Sequence, residues 1–382
     1  MKTSLRIITV FAALAFTCAA LAKEETKPAP PPPAKKPLVQ LAVLLDTSGS
    51  MDGLIDQAKS QLWKIVNEFL KAKQEGQPPE VQVALYEYGK SSLSSQSGWI
   101  RRIQPLTTDL DKLSEDLFAL KTNGGDEYCG WVIKDAVNEL AWSDDPKVYR
   151  AILIAGNEPF TQGPVNYADA CKAAIAKGII VNTIHCGSAA EGISGKWQDG
   201  ALLADGKYLV IDQNRAVVHI EAPQDKELAR LSADLNQTYL AYGDAGRMAA
   251  QRQAAQDVNA ATLAPASGAV VQRALTKASV NYFNGNWDLV DAAKDSKFKL
   301  EAVKTQDLPV EMQKLTTDER KAYVEKKAGE RAGLQAKIQT LNAEREKYLA
   351  AQMKQPAATN TLDAVVIAAV REQAAQRDFR FE

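Results

Sequence analysis

The apolar run at residues 41–45 constrains the fold of this chain more than any other feature of its sequence. The run reads Leu-Ala-Val-Leu-Leu without a polar residue, which is typical of a β-strand that is buried on both faces. Strands of this kind belong to parallel sheets that helices cover on both sides. The run ends abruptly at Asp46, and ligands of such sheets collect where the strands end. The sequence therefore predicts an α/β fold with a polar site beside Asp46.

The rest of residues 38–243 alternates between strand patterns and helix patterns. Strands are predicted at 81–88, 99–106, 149–155, 179–185 and 208–211, and helices at 53–73, 109–121, 128–141, 165–177 and 224–235. Strands that alternate with helices of this length indicate a doubly wound, mostly parallel sheet flanked by helices. Residues 99–106 are expected to form an antiparallel strand at its edge.

The polar segment after the first strand carries oxygen atoms at regular spacing. Asp46, Ser48 and Ser50 stand two residues apart, so that in a tight loop their side chains face one point. Hard oxygen donors select Mg²⁺, Mn²⁺ or Ca²⁺ over softer metals. A plainer alternative is that Asp46 caps the next helix and the serines fill a polar turn.

This segment resembles the Asp-x-Ser-x-Ser signature of von Willebrand factor type A domains, which are Rossmann-like in architecture. Their metal-ion-dependent adhesion site holds a divalent cation and leaves one coordination position open for an acidic group of a partner. The order of strands and helices fits this family from about residue 38 to residue 243. The resemblance implies a binding module and a divalent cation at the sheet edge, Mg²⁺ in the first place, with Mn²⁺ or Ca²⁺ as alternatives.

Two further loops of the site depart from the family's pattern. In many type A domains they carry Gly-Gly-Thr and Thr-Asp-Gly, whereas residues 124–127 read Gly-Gly-Asp-Glu and residues 155–158 read Ala-Gly-Asn-Glu. Asp126 takes the place of the threonine and Gly156 that of the aspartate, so that Glu158 is the nearest substitute carboxylate, with Asn157 as a neutral donor. The predicted metal ligands are Asp46, Ser48, Ser50, Asp126, Glu127 and Glu158.

The acidic residues at this edge support two separate hypotheses. Several carboxylates in a partly dry cleft repel one another, and a cation relieves that repulsion. The same carboxylates would neutralise the cation, so that an acidic group of a partner gains less by binding it. Metal binding and adhesion through a partner's carboxylate are therefore distinct predictions. Alternatively, Asp126 and Glu127 are ordinary acidic residues at a helix N-terminus.

The amino-terminal segment predicts export. Lys2 and Arg6 precede an apolar run that ends in Ala-Leu-Ala at residues 20–22, which is typical of a secretory signal peptide. Residues 23–37 are rich in proline and predict an extended, disordered tether. No later stretch is long and apolar enough to predict a transmembrane segment, so that the protein is expected to be periplasmic or secreted. Exported compartments permit disulfides, and a bridge between Cys129 and Cys186 is one hypothesis, buried unpaired thiols being the alternative.

Composition and motifs argue against two classes of function. The net charge is −1, with no basic stripe, whereas nucleic-acid binding needs a clustered excess of cations. There are only two histidines, and no nucleophile elbow, phosphate-binding loop or zinc-protease motif occurs. We therefore predict no catalytic residues, and a metal-assisted hydrolase is the only enzymatic alternative.

The last third of the chain predicts a different architecture. Residues 244–290 form a connecting segment and residues 291–382 a helical region. Apolar and arginine positions recur at steps of three or four: Val324, Ala328, Arg331, Leu334, Ile338, Leu341, Arg345 and Tyr348. Such a stripe is close to heptad spacing and fits a hairpin with a short helix at 362–371, a coiled coil through which chains self-associate, or a helix on the globular domain.

Three functions follow as hypotheses. The first is an exported module that binds an unidentified protein at a metal-containing sheet edge. The second is a metal-free scaffold or assembly protein that acts through its helical tail. The hydrolase is the third.

Overall fold

The computed structural model describes residues 36–214, 220–263, 268–352 and 361–381. The predicted signal peptide at 1–22 and nearly all of the predicted tether at 23–37 lie outside these ranges and remain predictions. Within the ranges, no helix is long and apolar enough to cross a membrane.

A six-stranded sheet lies at the centre of the structure. The described residues contain eight strands: β1 Leu38–Asp46, β2 Ala72–Lys73, β3 Glu80–Tyr88, β4 Ile100–Thr107, β5 Tyr149–Gly156, β6 Ile180–Cys186, β7 Tyr208–Ile211 and β8 Arg380–Phe381. The sheet has the order β4-β3-β1-β5-β6-β7, and every pair is parallel except β3 with β4. The predicted mostly parallel sheet is thus confirmed, and β4 is the antiparallel edge strand. The strands β2 and β8 form a separate antiparallel pair.

Helices cover both faces of this sheet and continue into the carboxyl-terminal region. Their bounds are α1 Asp52–Glu68, α2 Leu110–Ala119, α3 Cys129–Glu139, α4 Tyr167–Ala176, α5 Ala189–Ser194, α6 Trp197–Leu202, α7 Asp225–Asn236, α8 Gly243–Thr262, α9 Ala269–Lys277, α10 Leu289–Ala292, α11 Thr317–Gln352 and α12 Leu362–Ala375. The structure therefore confirms the predicted fold class, an α/β sheet flanked by helices with a helical carboxyl-terminal region.

Two apolar clusters, one on each face of the sheet, form the core. Successive side chains of a strand point to opposite faces, and in β1 Leu41 and Leu45 belong to one cluster whereas Ala42 and Leu44 belong to the other. The first cluster packs against α1, α2 and α12, and the second against α3, α4 and α6. Burial on both faces explains why β1 is an uninterrupted apolar run.

The helix α12 completes one face of the sheet, although it follows β7 by about 150 residues. It buries Val366 and Val370 against α1, and Gln373 exchanges two hydrogen bonds with Asn182 of β6, at 2.7 and 3.0 Å. The helices α7 and α9 pack with each other and with α11, and α9 also packs against α1. The domain boundaries predicted at 243 and 290 stay predictions, while these contacts group α12 with the sheet.

The stripe along α11 is buried on its own chain. Its buried residues are Val324, Arg331, Ile338 and Arg345, at steps of seven. Arg331 donates hydrogen bonds to Asp288 at 2.7 Å and to the Thr238 carbonyl at 2.7 Å. Of the three arrangements that the sequence left open, the structure has the one in which α11 lies on the globular part of the chain.

A buried ionic network attaches these helices to the sheet domain. Arg273 of α9 is 1% exposed, donates a hydrogen bond to Asp111 of α2 at 2.7 Å and lies over the Trp63 ring of α1 at 4.8 Å. Arg273 also forms an ion pair with Asp257 of α8, and Asp257 forms a second ion pair with the fully buried Lys277. Burial lowers the pKa of Lys277 to about 8, against the opposing charge of Asp257.

We expect Arg273→Ala to lower the free energy of unfolding by about 3 to 5 kcal/mol, because Asp111 would lose its buried cationic partner. Chemical denaturation of the full chain measures this change. The matched control is Arg230→Ala, which removes exposed ion pairs to Glu227 and Asp234 and should leave stability nearly unchanged, since water screens such pairs. Equal effects of the two substitutions would contradict the structural role of the network.

Candidate functional site

The ends of three parallel strands meet at one edge of the sheet. Asp46 at the end of β1 is in register with Tyr88 of β3, and Leu45 is in register with Ala155 of β5. The loops that follow these strands therefore start side by side. The Thr47 amide donates a hydrogen bond to the Tyr88 carbonyl at 2.8 Å, and the Thr47 carbonyl accepts one from the Asn123 amide at 3.0 Å.

The first loop holds a buried carboxylate and two hydroxyls. Asp46 is 0% exposed, and its Oδ1 accepts a hydrogen bond from the Ser48 amide at 2.7 Å. Its Oδ2 is buried and has no hydrogen-bond partner in the part of the chain that the structure describes. The hydroxyl oxygens of Ser48 and Ser50 are 3.4 Å apart, and the side-chain amide of Asn157 donates a hydrogen bond from Nδ2 to the Ser50 hydroxyl at 3.1 Å. These predicted ligands are thus brought together.

The second loop of the site, residues 120–128 between α2 and α3, directs Glu127 towards Asp46. Gly89, after β3, shows this closeness: a Cβ atom there would lie 2.9 Å from Asp46 Oδ1 and 2.9 Å from Glu127 Cγ. Glu127 is 6% exposed, whereas Asp126 is exposed to solvent. Of the two acidic residues predicted in this loop, Glu127 is therefore the one whose side chain neighbours the buried carboxylate.

The third loop has no room for an acidic side chain at Gly156. A Cβ atom there would lie 2.6 Å from the Tyr88 hydroxyl and 3.0 Å from Asp46 Oδ2. The Tyr88 hydroxyl donates to the Ala155 carbonyl at 3.0 Å and so fills this space. Glu158, predicted as the substitute, is half-buried and accepts a hydrogen bond from Gln162 at 3.3 Å.

The electrostatics of the site disfavour ionised carboxylates. Burial raises the pKa of Asp46 to about 7, the charge of Glu158 adds to the rise, and hydrogen bonds from Ser48 oppose it. The pKa of Glu127 is raised to about 8, first by burial and then by the charge of Asp46. Each group therefore needs a proton or a nearby positive charge to offset its desolvation.

Comparison with protein families agrees with this arrangement. The family model described as von Willebrand factor type A domain matches residues 40–192. The chain contains a von Willebrand factor type A domain. No curated protein sequence matches it.

Several solved structures resemble the type A domain. BatB from Bacteroides thetaiotaomicron is 20% identical over 46% of this chain and 90% of that chain, with a TM-score of 0.35. The VWA domain of SpRpn10 is 18% identical over 46% and 88%, with a TM-score of 0.35. The proximal thread matrix protein 1 of the mussel byssus, with a zinc-occupied MIDAS motif, is 13% identical over 46% and 42%, with a TM-score of 0.35.

The donors in this type A domain fit a hard cation. Within the described ranges, no three side chains of His, Cys, Asp or Glu gather into a group that would hold a metal. A cation would therefore use Asp46 and Glu127 together with neutral oxygens from Ser48, Ser50 and Asn157, whose Oδ1 is buried without a partner. Oxygen-only donors suit Mg²⁺, Mn²⁺ or Ca²⁺. Asp126 and Glu158 remain predicted ligands that these contacts do not bring into the same group.

Sequence reasoning missed Tyr88 and Gly89, which shape the type A site without being donors. Gly89 has a φ of +81°, a region that favours glycine, and its position directly after a strand was the available signal. The predicted bridge between Cys129 and Cys186 is absent, since both are free thiols. The reason is their placement, because Cys129 belongs to one core cluster and Cys186 to the cluster on the opposite face of the sheet.

We expect Gly89→Ala to cost more stability than Gly76→Ala. Both glycines have positive φ, at +81° and +77°, but a Cβ at Gly76 meets no atom within 4 Å. The control therefore carries only the backbone strain of about 1 kcal/mol, whereas Gly89→Ala also displaces Asp46 and Glu127. Chemical denaturation measures both losses, and equal losses would mean that the two carboxylates do not surround Gly89.

A buried histidine lies near the same edge. His185, at the end of β6, is 2% exposed, and neither of its ring nitrogens has a hydrogen-bond partner among the described residues. A Cβ at Gly187 would lie 2.7 Å from Nε2, so that the ring is tightly enclosed. Burial lowers the pKa of His185, and the charge of Glu191 opposes this shift.

We expect the contribution of His185 to stability to be lost as the pH drops below about 6.5, the unperturbed histidine pKa. Below this pH, His185 takes up a proton in the unfolded chain but stays neutral in the folded protein. The contribution of the buried neutral histidine to stability is therefore present above this pH and lost as the pH falls below it. Urea denaturation between about pH 7 and about pH 5 should show that the stability of the parent relative to His185→Phe decreases as the pH falls. A stability difference between the parent and His185→Phe that does not change with pH would refute the assignment.

Proposed function

We propose that this protein is an exported protein-binding module whose type A domain holds a divalent cation at the carboxyl edge of its sheet. The observation that carries the proposal is the Asp46 carboxylate, which is fully buried with Oδ2 unpaired and with Glu127 beside it. A cation would offset the burial of both charges. Mg²⁺ is the first expectation, with Mn²⁺ or Ca²⁺ as alternatives.

Binding rather than catalysis is supported by the kind of domain and by the chemistry at the site. Type A domains are generally interaction modules. The side chains at the edge are carboxylates, hydroxyls and an amide, and His185 is enclosed beneath the surface. The partner would be another protein that approaches the strand-end loops. Export is supported by the signal-like segment at residues 1–22.

The packing of the helical region favours this proposal over a scaffold that acts through its tail. The heptad-spaced residues of α11 are buried against the same chain, so that they do not offer a free stripe for another helix. The helix α12 contributes to the core of the sheet domain. We therefore assign the binding function to the sheet edge.

Calorimetric titration of the full chain, stripped with a chelator, tests the cation site. Saturable binding of Mg²⁺, Mn²⁺ or Ca²⁺ is expected in the parent and none in Asp46→Ala, because the buried anion anchors the cation. The matched control is Asp144→Ala, an exposed aspartate near the start of β5 and thus at the opposite end of the sheet, which should bind as the parent does. Absence of binding of all three ions by the parent would overturn the proposal.

A further inference from the structure

We propose that Glu127 provides a second anionic ligand from within the chain, so that Asp46 and Glu127 together neutralise a divalent cation and a partner binds without adding a carboxylate to it. This inference rests on the proposed cation site and specifies how that site is completed. A site completed in this way differs from the arrangement in which an acidic group of a partner fills an open coordination position.

The backbone of the second loop fixes Glu127 in place. A Cβ at Gly125 would lie 2.2 Å from the Gly89 carbonyl oxygen, so that this loop packs directly on the end of β3. The Ser91 amide donates to the Gly124 carbonyl at 2.5 Å, and the Glu127 amide donates to Gln162 Oε1 at 3.2 Å. Both sides of the loop are thereby held, and the Glu127 side chain is directed inwards.

The geometry selects Glu127 over its acidic neighbours. Its Cγ and Asp46 Oδ1 both lie 2.9 Å from one point above Gly89, and the Ser48 hydroxyl lowers the pKa of Glu127 by hydrogen bonding to it. Asp126 is exposed, and Glu158 acts on Asp46 through its charge. Asp46 and Glu127 are therefore the close pair of carboxylates.

Charge decides what a partner can add to this pair. Two carboxylates balance the charge of a divalent cation, and in the described residues neither of them is ion-paired with a lysine or an arginine. A third carboxylate would bring excess negative charge into a buried site that Glu158 already makes more negative. A neutral group or a water is thus the better occupant of the remaining coordination positions, and contacts outside the site would carry the affinity for a partner.

The experiment uses Mn²⁺ as the probe and acetate as a stand-in for a partner's carboxylate. Mn²⁺ is bound to the chelator-stripped full chain, and pulsed electron paramagnetic resonance in D₂O counts its inner-sphere waters. A second measurement with acetate labelled with ¹³C at the carboxyl carbon detects acetate bound directly to the ion. The variants are Glu127→Ala, the shape-conserving Glu127→Gln, Asp126→Ala as the competing acidic residue of the same loop, and Asp144→Ala as a control outside the site, with circular dichroism as a check of folding.

In the parent we expect bound Mn²⁺ with no ¹³C coupling from acetate. Glu127→Ala should gain about one inner-sphere water and should show acetate coupling, because a six-coordinate ion loses one ligand and one negative charge. Glu127→Gln, which keeps the shape but loses the charge, should also admit acetate. Asp126→Ala should behave as the parent does.

Two results would overturn the inference, and they differ from failure of the cation site. Acetate bound to Mn²⁺ in the parent would show that the coordination shell is open to a partner's carboxylate. A gain of water in Asp126→Ala but not in Glu127→Ala would show that Asp126, and not Glu127, is the second anionic ligand. If the parent does not bind Mn²⁺ at all, the free-ion signal reveals it, and the proposed cation site falls together with the inference.

Discussion

The burial of the Asp46 carboxylate at the end of β1 is the constraint on which the rest of the site depends. Because β1 lies in the middle of a sheet that is covered on both faces, its last residue is dry, and ionisation of Asp46 is costly. The surrounding loops respond to that cost. The Ser48 backbone amide donates a hydrogen bond to one carboxylate oxygen, and the other oxygen is left for a proton or a cation. Occupation of the site by a proton or a cation is therefore coupled to the conformation of the loops that form it.

A second set of buried charges connects the carboxyl-terminal helices to one another and to the sheet domain. Arg273 and Arg331 are each nearly inaccessible to water, and each is held by aspartates from other helices. Such pairs add little net stability compared with apolar packing, but removal of one partner is costly. They therefore define which helices meet and in which register. The heptad spacing of α11 serves the same purpose within one chain, since Arg331 and Arg345 occupy the stripe and find acidic partners there.

The sequence predicted what depends on local patterns and missed what depends on distant contacts. The apolar alternation of β3 and the uninterrupted apolar run of β1 identified these strands, and Asp46 at the end of β1 identified the site. The role of α12 could not be read in the same way, because its apolar face pairs with α1 across about 300 residues. The Cys129 and Cys186 bridge failed for a related reason: both residues flank one edge, but a sheet separates their side chains.

The second and third loops depart from the family pattern in a compensating way: a carboxylate is missing from the third loop and is present in the second. Tyr88 places its hydroxyl where an aspartate at position 156 would reach, so that this loop offers mainly the neutral Asn157. Glu127 brings a carboxylate from the second loop instead. Because Gly89 leaves space for both Asp46 and Glu127, the glycine, the tyrosine and the glutamate form one set: a larger residue at 89 or an acid at 156 would be incompatible with the others.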